Sequence, residues 1–406
     1  MKNSVITDEK IIDELLDRGV EKIYPSREEL KKQLMKGEKI RLYGGFDPTA
    51  PSLHVGNAVL INKLSQFQAL GHEVVFLIGD FTGMIGDPTD KTATRKKLTR
   101  ETVLENCRTY QKQASVYLDF EGENKARVVY NSDWLGKLTF SDLIEISSNF
   151  TVQQMIQRDM FQKRIEEEKP IHLHEFFYPI AQGYDSVKLD VDLEVGGNDQ
   201  MFNMMAGRHL MQALGMKDKT VLTMKLLADD DGKKMGKSEG NAVFLDQEPK
   251  NIYGALMSWS DGVIVPALEL LTKVSMSEIA KIKDSMSQGA NPRDYKMRLA
   301  YEIVKIYHGQ EEAEKAQEYF VHTISNKETP SEVKEIVIAK DSIRLVEFIV
   351  LAGLSKSNGE AKRKIEQGGV SINQKRESDW QKVLTKKDNQ SVLKVGKFGF
   401  AKIIFK

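Results

Sequence analysis

One stretch of the chain, residues 43–57, constrains the fold more than any other; it reads Tyr-Gly-Gly-Phe-Asp-Pro-Thr-Ala-Pro-Ser-Leu-His-Val-Gly-Asn. Residues 39–43, at its start, alternate between polar and apolar side chains as a short strand does. After it, apolar side chains recur at helical spacing between Ala58 and Leu70. The stretch is therefore predicted to join a strand to a helix. In a parallel sheet the amides at the start of such a helix favour a bound anion, and glycine lets a ligand come close to the backbone.

A buried strand is predicted directly after that helix. Residues 74–78 form a continuous apolar run, which is typical of a strand covered on both faces of a parallel sheet. Strand, helix and buried strand follow one another in the order of a βαβ unit. We therefore expect the α/β fold class, with a doubly wound parallel sheet of the Rossmann-like kind. Elsewhere the patterns predict two helices within residues 8–36, one helix over 102–118 and a strand at 226–228.

Two lysines far downstream suit a polyphosphate. Residues 231–238 read Asp-Gly-Lys-Lys-Met-Gly-Lys-Ser, so that Lys234 and Lys237 lie three positions apart in a loop that contains glycine. Each ammonium group is a compact point charge that can pair with a phosphate. His54 offers a hydrogen-bond donor beside the predicted anion site. For the segment around His54 taken alone, an ordinary loop with a satisfied histidine is the alternative interpretation.

The two motifs resemble the nucleotide-binding motifs of class I aminoacyl-tRNA synthetases. The family's His-Ile-Gly-His is here His-Val-Gly-Asn at residues 54–57, and its Lys-Met-Ser-Lys-Ser is here Lys-Met-Gly-Lys-Ser at 234–238. Neighbouring residues narrow the resemblance to the tyrosyl-tRNA synthetase family, from about Tyr43 to the C-terminus. Asn57 and Gly236 depart from the motifs. An asparagine still donates a hydrogen bond from its amide, and a glycine would make the loop more mobile.

The resemblance implies a tyrosine–tRNA ligase that works in two steps. L-tyrosine attacks ATP to give tyrosyl-adenylate and pyrophosphate, and the tyrosyl group then passes to the 3′-terminal ribose of tRNA(Tyr). Because the attacking carboxylate is already an anion, the protein is expected to contribute positioning and charge stabilisation. Mg²⁺ would be carried with ATP, and no protein-bound structural metal is expected. The residues expected to hold the developing charge are Thr49, His54, Asn57, Lys91, Arg95, Lys234 and Lys237.

A helix after residue 176 carries a polar stripe. Tyr178, Gln182 and Asp185 lie at positions i, i+4 and i+7, which puts them on one helix face. Such a stripe is ordinarily the solvated side of a helix, but the apolar neighbours predict burial, and buried polar groups need partners. By the resemblance, Tyr178 and Gln182 would bind the substrate ammonium, and Asp185 would bind the phenol hydroxyl. The tyrosine-binding set expected from the family is Tyr43, Asp47, Asp87, Tyr178, Gln182, Asp185 and Gln200.

A glycine pair ends the strand predicted at residues 191–195. Gly197 and Asp199 follow, and an acidic residue there suits a ribose hydroxyl, as in other nucleotide-binding folds. An ordinary glycine turn is the alternative interpretation. The ATP-binding set expected from the family is Gly45, His54, Asn57, Gly197, Asp199 and Lys237.

The end of the chain is basic although the whole chain is neutral. Lys+Arg and Asp+Glu both number 59, yet residues 342–406 hold 14 Lys+Arg against 6 Asp+Glu, which leaves a net charge of +8. A basic module favours a polyanionic partner, and helix signals followed by strands resemble a small RNA-binding domain shared with a ribosomal protein. A solvated helix face is the alternative interpretation for any single lysine. The residues expected to contact RNA phosphates are Lys356, Lys362, Arg363 and Lys364.

These signals divide the chain into domains. We expect a Rossmann-like catalytic domain at 1–228, with a dimerisation insertion at about 119–185, and a lysine loop with an α-helical anticodon-side domain at 229–325. A polar linker at 326–341 and the basic RNA-binding domain at 342–406 would follow. By the resemblance, the insertion implies a homodimer.

Composition disfavours several classes of protein. The single cysteine, Cys107, excludes an intrachain disulfide and a multi-cysteine zinc site, and it fits a reducing cytoplasm. Residues 1–10 lack the apolar core of a secretory signal, and no apolar run reaches membrane-spanning length, so no membrane partner is expected. Three alternatives stay open: tryptophanyl-tRNA synthetase, a non-catalytic RNA-binding or translation-regulating protein on a synthetase fold, and a nucleotidyltransferase that makes a small-molecule adenylate.

Overall fold

The computed structural model describes residues 5–88, 98–228, 232, 234–235, 242–325, 333–396 and 399–406. Their contacts group the chain into two compact units. The first comprises Met1–Gln247 and Ser258–Tyr307, and the second comprises Glu248–Met257 and His308–Lys406. The expected α/β class is confirmed, because the first unit holds a six-stranded, mostly parallel sheet among many helices.

The elements are numbered in chain order. The strands are β1 (Val20–Tyr24), β2 (Arg41–Phe46), β3 (Glu73–Ile78), β4 (Arg127–Tyr130), β5 (Leu193–Gly197), β6 (Thr220–Met224), β7 (Glu335–Ile338), β8 (Ser342–Arg344), β9 (Val370–Ile372), β10 (Lys375–Arg376), β11 (Val383–Thr385), β12 (Val392–Val395) and β13 (Gly399–Phe405). The helices are α1 (Glu9–Asp17), α2 (Arg27–Met35), α3 (Val55–Ala69), α4 (Thr82–Ile85), α5 (Arg100–Cys107), α6 (Tyr110–Ala114), α7 (Ser132–Leu135), α8 (Phe140–Ser147), α9 (Val152–Ile156), α10 (Asp159–Glu166), α11 (Phe177–Leu189), α12 (Met201–Ala213), α13 (Pro249–Met257), α14 (Ile264–Leu271), α15 (Met276–Ser287), α16 (Pro292–His308), α17 (Gln310–Phe320), α18 (Leu345–Leu351) and α19 (Asn358–Glu366).

The first sheet has the strand order β1-β6-β5-β2-β3-β4. β2 pairs in parallel with β3 and β5, β3 with β4, and β5 with β6, whereas β1 runs antiparallel to β6 at the edge. The chain therefore moves outward from β2 to β4 and then returns to the other side of β2. In doubly wound sheets ligands bind at such a reversal, beyond the carboxyl ends of the strands. That position lies between β2 and β5.

The two helices predicted within residues 8–36 are confirmed as α1 and α2. The strand β1 between them was not predicted, and its exposed charged residues are typical of an edge strand that lacks an apolar run. Two other local predictions were wrong. The helix expected over 102–118 is two helices, α5 and α6, and the second begins with Tyr110, whose hydroxyl donates to Ala50 O at 2.7 Å. No strand forms at 226–228, where Ala228 makes only an isolated bridge with Lys234. The contact of Tyr110 with Ala50 joins residues that are far apart in the chain, so the local pattern does not encode it.

Helices α11 and α12 cross at a pair of glycines. A Cβ on Gly183 would lie 3.2 Å from the amide nitrogen of Gly207 and 3.3 Å from its Cα. A Cβ on Gly207 would lie 2.6 Å from Lys219 Nζ and 2.7 Å from Ser186 Oγ. The two glycines thus let the helix backbones approach and leave room for buried polar groups beside the crossing.

The second unit contains a five-stranded sheet in the order β10-β9-β12-β13-β7 and a two-stranded sheet of β8 and β11. α18 and α19 pack on strands through a shared apolar core that includes Phe348, Ile365 and Leu393. β7 falls in the segment predicted as a linker and pairs in parallel with β13, whereas residues 326–332 lie outside the described part. The helices predicted for 229–325 are divided between the units, with α14 to α16 in the first and α13 and α17 in the second.

In the described ranges no single helix is long and apolar enough to cross a membrane. Pro249–Met257 and Asp261–Leu271 meet that test of length and composition only together, as a bent pair. Apolar residues of this pair, such as Leu256, Leu268 and Leu271, are buried inside the protein.

A buried histidine follows α3. His72 is fully buried, and its ring packs against Phe67 with 6.0 Å between the ring centroids. Its Nδ1 accepts a long hydrogen bond of 3.5 Å from the Ile40 amide, and its Nε2 has no partner among the described residues. Burial lowers the pKa of His72 to about 4, and the charge of Lys39 adds to that shift.

Acid is expected to destabilise the protein through His72. The unfolded chain binds a proton at this histidine below pH 6.5, whereas the folded chain binds it only below a pKa of about 4. Its contribution to stability is therefore fully present above pH 6.5 and is lost as the pH falls toward 4, by up to about 2 kcal/mol at pH 5. Urea unfolding at pH 7.5 and 5 should show a smaller loss for His72→Gln, which takes up no proton. Equal losses in the two proteins would contradict this assignment.

Candidate active site

A cavity of about 260 Å³ opens in the first unit beyond the carboxyl ends of β2 and β5. Its wall is built from these strand ends, the start of α3, one face of α11 and the segment after β5. Lys91, Arg95, Gly236 and Lys237 lie outside the described residues. The cavity brings together the other residues expected to bind tyrosine and ATP: Tyr43, Gly45, Asp47, Thr49, His54, Asn57, Asp87, Tyr178, Gln182, Asp185, Gly197, Asp199, Gln200 and Lys234.

Asp185 lies at the buried end of this cavity. Its carboxylate accepts hydrogen bonds from the Trp134 indole at 2.7 Å and from the Asn131 amide at 3.1 Å. The Phe81 amide donates to the side-chain oxygen of Asn131 at 2.9 Å, which turns the NH₂ group of Asn131 toward Asp185. Burial raises the pKa of Asp185 well above its ordinary value, and the two N–H donors oppose that shift. Each oxygen of Asp185 accepts from an N–H group, and this geometry orients the side chain to accept from a further hydroxyl group.

Tyr43 is fully buried at the same end. Its hydroxyl lies 2.9 Å from Ser186 Oγ, to which Lys219 Nζ also donates at 2.9 Å. Lys219 forms a buried ion pair with Glu194. Burial raises the pKa of Tyr43 well above its ordinary value, and the charges of Glu194 and Asp185 add to the shift. Burial lowers the pKa of Lys219, and Glu194 opposes that change. Tyr43 is therefore a neutral hydroxyl at neutral pH.

Tyr178 and Gln182 present oxygen-rich surroundings further along the cavity. The Tyr178 hydroxyl donates to Asp47 at 2.9 Å, and the Thr82 hydroxyl donates to the other oxygen of Asp47 at 2.7 Å. Gln182 Nε2 donates to Glu194 at 3.0 Å. Burial and the charge of Asp47 raise the pKa of Tyr178 well above its ordinary value, so it keeps its proton. Acceptors held by fixed donors are what an ammonium ligand requires.

Asp87 and Gln200 are joined on another side of the cavity. Gln200 Nε2 donates to Asp87 at 2.5 Å, and the Asn203 amide donates to Gln200 Oε1 at 2.7 Å. The two bonds set the orientation of the Gln200 amide, with its NH₂ group toward Asp87. Asp87 is thereby held at the cavity wall as a further carboxylate.

His54 and Asn57 close the start of α3. His54 Nδ1 accepts from the Gly56 amide at 3.0 Å, and Asn57 Oδ1 accepts from the His54 amide at 3.0 Å. The Val55 amide donates to Val243 O at 3.0 Å. The expectation that the first amides of this helix face an anion was therefore wrong, because side chains and a neighbouring carbonyl already occupy them. A neutral His54 ring whose Nδ1 accepts carries its proton on Nε2.

The glycines of this region have different tasks. A Cβ on Gly56 would lie 2.8 Å from Cε1 of the His54 ring, so glycine is needed there for the cap and not for a ligand. Gly45, by contrast, lines the cavity, and the nearest atom to its hypothetical Cβ is a Leu77 methyl carbon at 3.8 Å. Only the second case fits the expectation of close ligand approach.

Lys234 reaches the part of the cavity where the nucleotide is expected. It forms an ion pair of 2.5 Å with Asp199, the residue expected at the ribose. A Cβ on Gly197 would lie 2.4 Å from Asp199 Oδ1, so glycine allows the Asp199 side chain to fold back over the strand end. The structure thus joins the lysine loop to the glycine pair, although the two segments lie far apart in the chain.

The cavity is acidic in its described part. Five carboxylates line it, and the ammonium groups in its wall are those of Lys225 and Lys234. Such a site suits the ammonium group of an amino acid, whereas phosphates need further cations. The five carboxylates are those of Asp47, Asp87, Asp185, Glu194 and Asp199.

In the basic helix α19 of the second unit, two of the lysines that are expected to contact RNA interact with neighbouring side chains. Lys362 Nζ lies 4.0 Å from the centre of the Trp380 ring, a cation–π arrangement. Lys364 pairs with Glu360 at 2.8 Å. Two other members of the expected set, Lys356 and Arg363, are exposed.

The segment expected to form a dimer interface exposes large apolar side chains. Phe140 is 78% exposed, Leu173 70% and Val152 66%, and Ile144 is 55% exposed. Exposed apolar groups concentrated in one segment of the chain are typical of an interaction surface.

Sequence reasoning missed the residues that hold the predicted ones in place. Asn131 and Trp134 directly follow β4, a position where polar residues of parallel sheets meet, so a signal existed. Lys219 precedes β6 and is indistinguishable in sequence from a solvated surface charge. The missed residues are Asn131, Trp134, Ser186, Glu194 and Lys219.

Comparisons with known families agree with this site. Residues 35–325 match the family described as tRNA synthetases class I (W and Y), the letters standing for tryptophan and tyrosine. Residues 326–398 match the tyrosine–tRNA ligase SYY-like C-terminal domain. The second match favours the tyrosine branch over the tryptophan branch.

Relatives that match over nearly their full length are tyrosine–tRNA ligases. The tyrosine–tRNA ligase of Carboxydothermus hydrogenoformans is 45% identical over 402 residues, which cover 97% of this chain and 97% of the relative. That of Geobacter metallireducens is 45% identical over 399 residues, or 97% of this chain and 98% of the relative. These relatives support the tyrosine–tRNA ligase interpretation over the three alternatives left open by the sequence.

Solved structures share the fold. A C-terminally truncated mitochondrial tyrosyl-tRNA synthetase of Coccidioides posadasii superposes with a TM-score of 0.62 at 25% identity, over 76% of this chain and 91% of that one. The Archaeoglobus fulgidus enzyme, crystallised with L-tyrosine, gives a TM-score of 0.61 at 21% identity, over 76% and 100%. The chain therefore belongs to the class I tRNA synthetase family and, within it, to the tyrosine–tRNA ligases.

Proposed function

We propose that the cavity of the first unit binds L-tyrosine and ATP and joins them as tyrosyl-adenylate, before the tyrosyl group passes to tRNA(Tyr). The observation that carries this proposal is the pair of Tyr43 and Asp185 at the buried end of an acidic cavity. A neutral hydroxyl and a carboxylate offer a donor and an acceptor to one phenol. Phenylalanine lacks both functions, and an indole N–H can only donate.

The amino-acid end of the substrate is assigned to the oxygen-rich part of the wall. Tyr178, Gln182 and Asp87 would hold the ammonium group, with Asp47 fixing Tyr178 in place. Gln200 would donate to the α-carboxylate. The substrate carboxylate would then attack the α-phosphate of ATP in line, and no general base is required because the nucleophile is already ionised.

The nucleotide is assigned to the opposite side. Asp199 would accept the ribose hydroxyls, and Gly45 leaves space beside the strand end. Thr49, His54 and Lys234 would stabilise the charge that develops on the phosphates, together with Mg²⁺ carried by ATP. Asn57 would act through the orientation of His54. The described wall has few cations for the phosphates. Further cations would come from three residues outside the described part of the chain: Lys91, Arg95 and Lys237.

Transfer of the tyrosyl group would involve the second unit and a second copy of the chain. The exposed basic residues of the C-terminal segment suit the tRNA backbone. The exposed apolar residues of α8, α9 and the segment around Leu173 suit a twofold interface. With these partners the protein would act in the cytoplasm.

Activation should be specific for tyrosine. ATP–pyrophosphate exchange is expected with tyrosine and not with tryptophan, and it should be far weaker with phenylalanine. Tyrosyl-tRNA synthetase is itself the reference example of such discrimination, so its size of roughly 10⁴- to 10⁵-fold is a family value and not a result of this structure. Tyr43→Phe should lower the preference for tyrosine roughly tenfold, because one hydrogen bond to the phenol is lost. Exchange with tryptophan would contradict the pocket assignment.

The protein should be a dimer through the apolar insertion. Sedimentation of the wild type at micromolar concentration should give twice the chain mass. Ile144→Glu combined with Leu173→Glu should shift the protein to monomers, because two charges would be buried without partners. Leu214→Glu, at a residue 48% exposed outside the insertion, is the matched control and should stay dimeric. A monomeric wild type would exclude this interface.

Basic residues of the C-terminal segment should contribute to tRNA binding and not to the activation of tyrosine. Lys356→Ala combined with Arg363→Ala should leave pyrophosphate exchange unchanged and raise the KM for tRNA. The dependence of tRNA affinity on salt should weaken by about one unit of log–log slope for each lost phosphate contact. Lys386→Ala with Lys387→Ala removes the same charge from exposed positions of the same unit. Identical effects of the two pairs would assign the change to net charge and exclude a specific role of Lys356 and Arg363.

A further inference from the structure

We propose that the buried ion pair of Lys219 and Glu194 sets the direction of the hydrogen bonds that recognise the substrate at both of its ends. It would act through Ser186 and Tyr43 at the phenol and through Gln182 at the ammonium group. The inference rests on the proposed placement of tyrosine in the cavity. Lys219, Ser186 and Glu194 are positioning residues, since each acts through a neighbouring side chain.

The direction at the phenol end begins with Lys219. An ammonium group can only donate, so Ser186 Oγ must accept from Lys219 Nζ at 2.9 Å. The one hydrogen of the serine has two acceptors in reach, Tyr43 Oη at 2.9 Å and Glu194 at 3.4 Å. The shorter contact directs it to the Tyr43 oxygen. The hydrogen of Tyr43 is then not used by Ser186 and can be donated to a hydroxyl group in the cavity.

A substrate hydroxyl completes this chain. It accepts from Tyr43 and donates to Asp185, whose two oxygens already accept from the N–H groups of Trp134 and Asn131. The hydrogen bonds then run in one direction, from Lys219 through Ser186, Tyr43 and the substrate to Asp185. A ligand at this point must both accept and donate. Phenylalanine does neither, and it would leave a buried donor and a buried acceptor unpaired at once.

Glu194 sets the direction at the other end. A carboxylate can only accept, so the NH₂ group of Gln182, whose Nε2 lies 3.0 Å away, must point toward it. The carbonyl oxygen of the Gln182 amide is then turned away from Glu194. A carbonyl oxygen is the group that a substrate ammonium needs, whereas the reversed amide would present N–H donors to a cation. One carboxylate therefore orients Gln182 and, through Lys219, Tyr43.

Burial shields these hydrogen bonds from bulk water. Lys219 is 0% exposed, Glu194 2% and Ser186 0%. Gly207 provides the space, because any side chain there would meet both Lys219 Nζ and Ser186 Oγ. A buried ion pair is commonly no more stabilising than apolar residues of the same size. Stability thus gives no reason for this pair, whereas orientation of the two substrate contacts does.

The first test removes the serine and keeps the ion pair. In Ser186→Ala, kcat/KM for tyrosine in ATP–pyrophosphate exchange should fall roughly three- to tenfold, while kcat/KM for phenylalanine and the KM for ATP stay unchanged. Ser65→Ala is the matched control: it also removes a serine hydroxyl, which donates to Asn62 O at 2.8 Å within α3 and lies away from the cavity. It should leave the tyrosine-to-phenylalanine ratio as in the wild type.

The second test neutralises the pair without leaving a buried charge. In Lys219→Met combined with Glu194→Gln, the introduced amide can donate as well as accept, so neither direction is imposed. The tyrosine-to-phenylalanine ratio should fall as in Ser186→Ala. Competition by 3-(4-hydroxyphenyl)propanoate, which is tyrosine without its amino group, should become stronger relative to tyrosine, because Gln182 no longer favours the ammonium group.

The outcomes separate the inference from the function on which it rests. A wild type that shows no exchange with tyrosine would overturn the proposed function and this inference with it. An active wild type whose preference for tyrosine is unchanged in Ser186→Ala would overturn the inference alone. The inference is also overturned if Ser186→Ala loses activity equally with both amino acids, which is the mark of general structural damage.

Discussion

The close approach of two helix backbones at Gly183 and Gly207 is the constraint on which the site depends. A methyl group on Gly183 would meet the backbone of α12, and one on Gly207 would meet Lys219 and Ser186. With both glycines in place, α11 is buried on the side of α12 and on the side of the cavity. Every polar group on α11 must then find a partner within the protein or in a ligand. The polar stripe of α11 has partners within the protein and also lines the cavity, where we propose that it binds the substrate.

Charge is distributed unevenly around the cavity, and hydrogen bonds or ion pairs with neighbouring side chains stabilise the charged groups of its wall. The part of the cavity where we propose that the amino acid binds is rich in carboxylates, each held by fixed donors, as Asp47 is by Tyr178 and Thr82. In the part proposed for the nucleotide, Lys234 pairs with Asp199. Arrival of ATP would exchange that ion pair for one between Lys234 and a phosphate and for a ribose contact to Asp199. Both partners thus remain paired before and after binding, so that neither charge is left alone.

Much of the site could be predicted from sequence because local spacing encodes it. The stripe of α11 follows from helical periodicity, and the junction of β2 and α3 follows from the change of pattern around residue 50. Contacts between distant segments could not be predicted in this way. Lys219 lies outside any recognisable motif, and only the register of β6 beside β5 brings it to Glu194. The edge strand β1 was not predicted for a local reason, because its charged residues obscure the strand pattern.

The departure at Asn57 illustrates how tertiary structure explains a motif. Its oxygen accepts the His54 amide, while His54 Nδ1 accepts the Gly56 amide, so each side chain closes part of the helix start. The position therefore needs an acceptor at short reach, and an asparagine provides one. The reciprocal cap also fixes the His54 ring and its proton-bearing Nε2. The residue that stands in place of the motif's second histidine thus holds the backbone amide of the remaining one, while the Gly56 amide holds its imidazole.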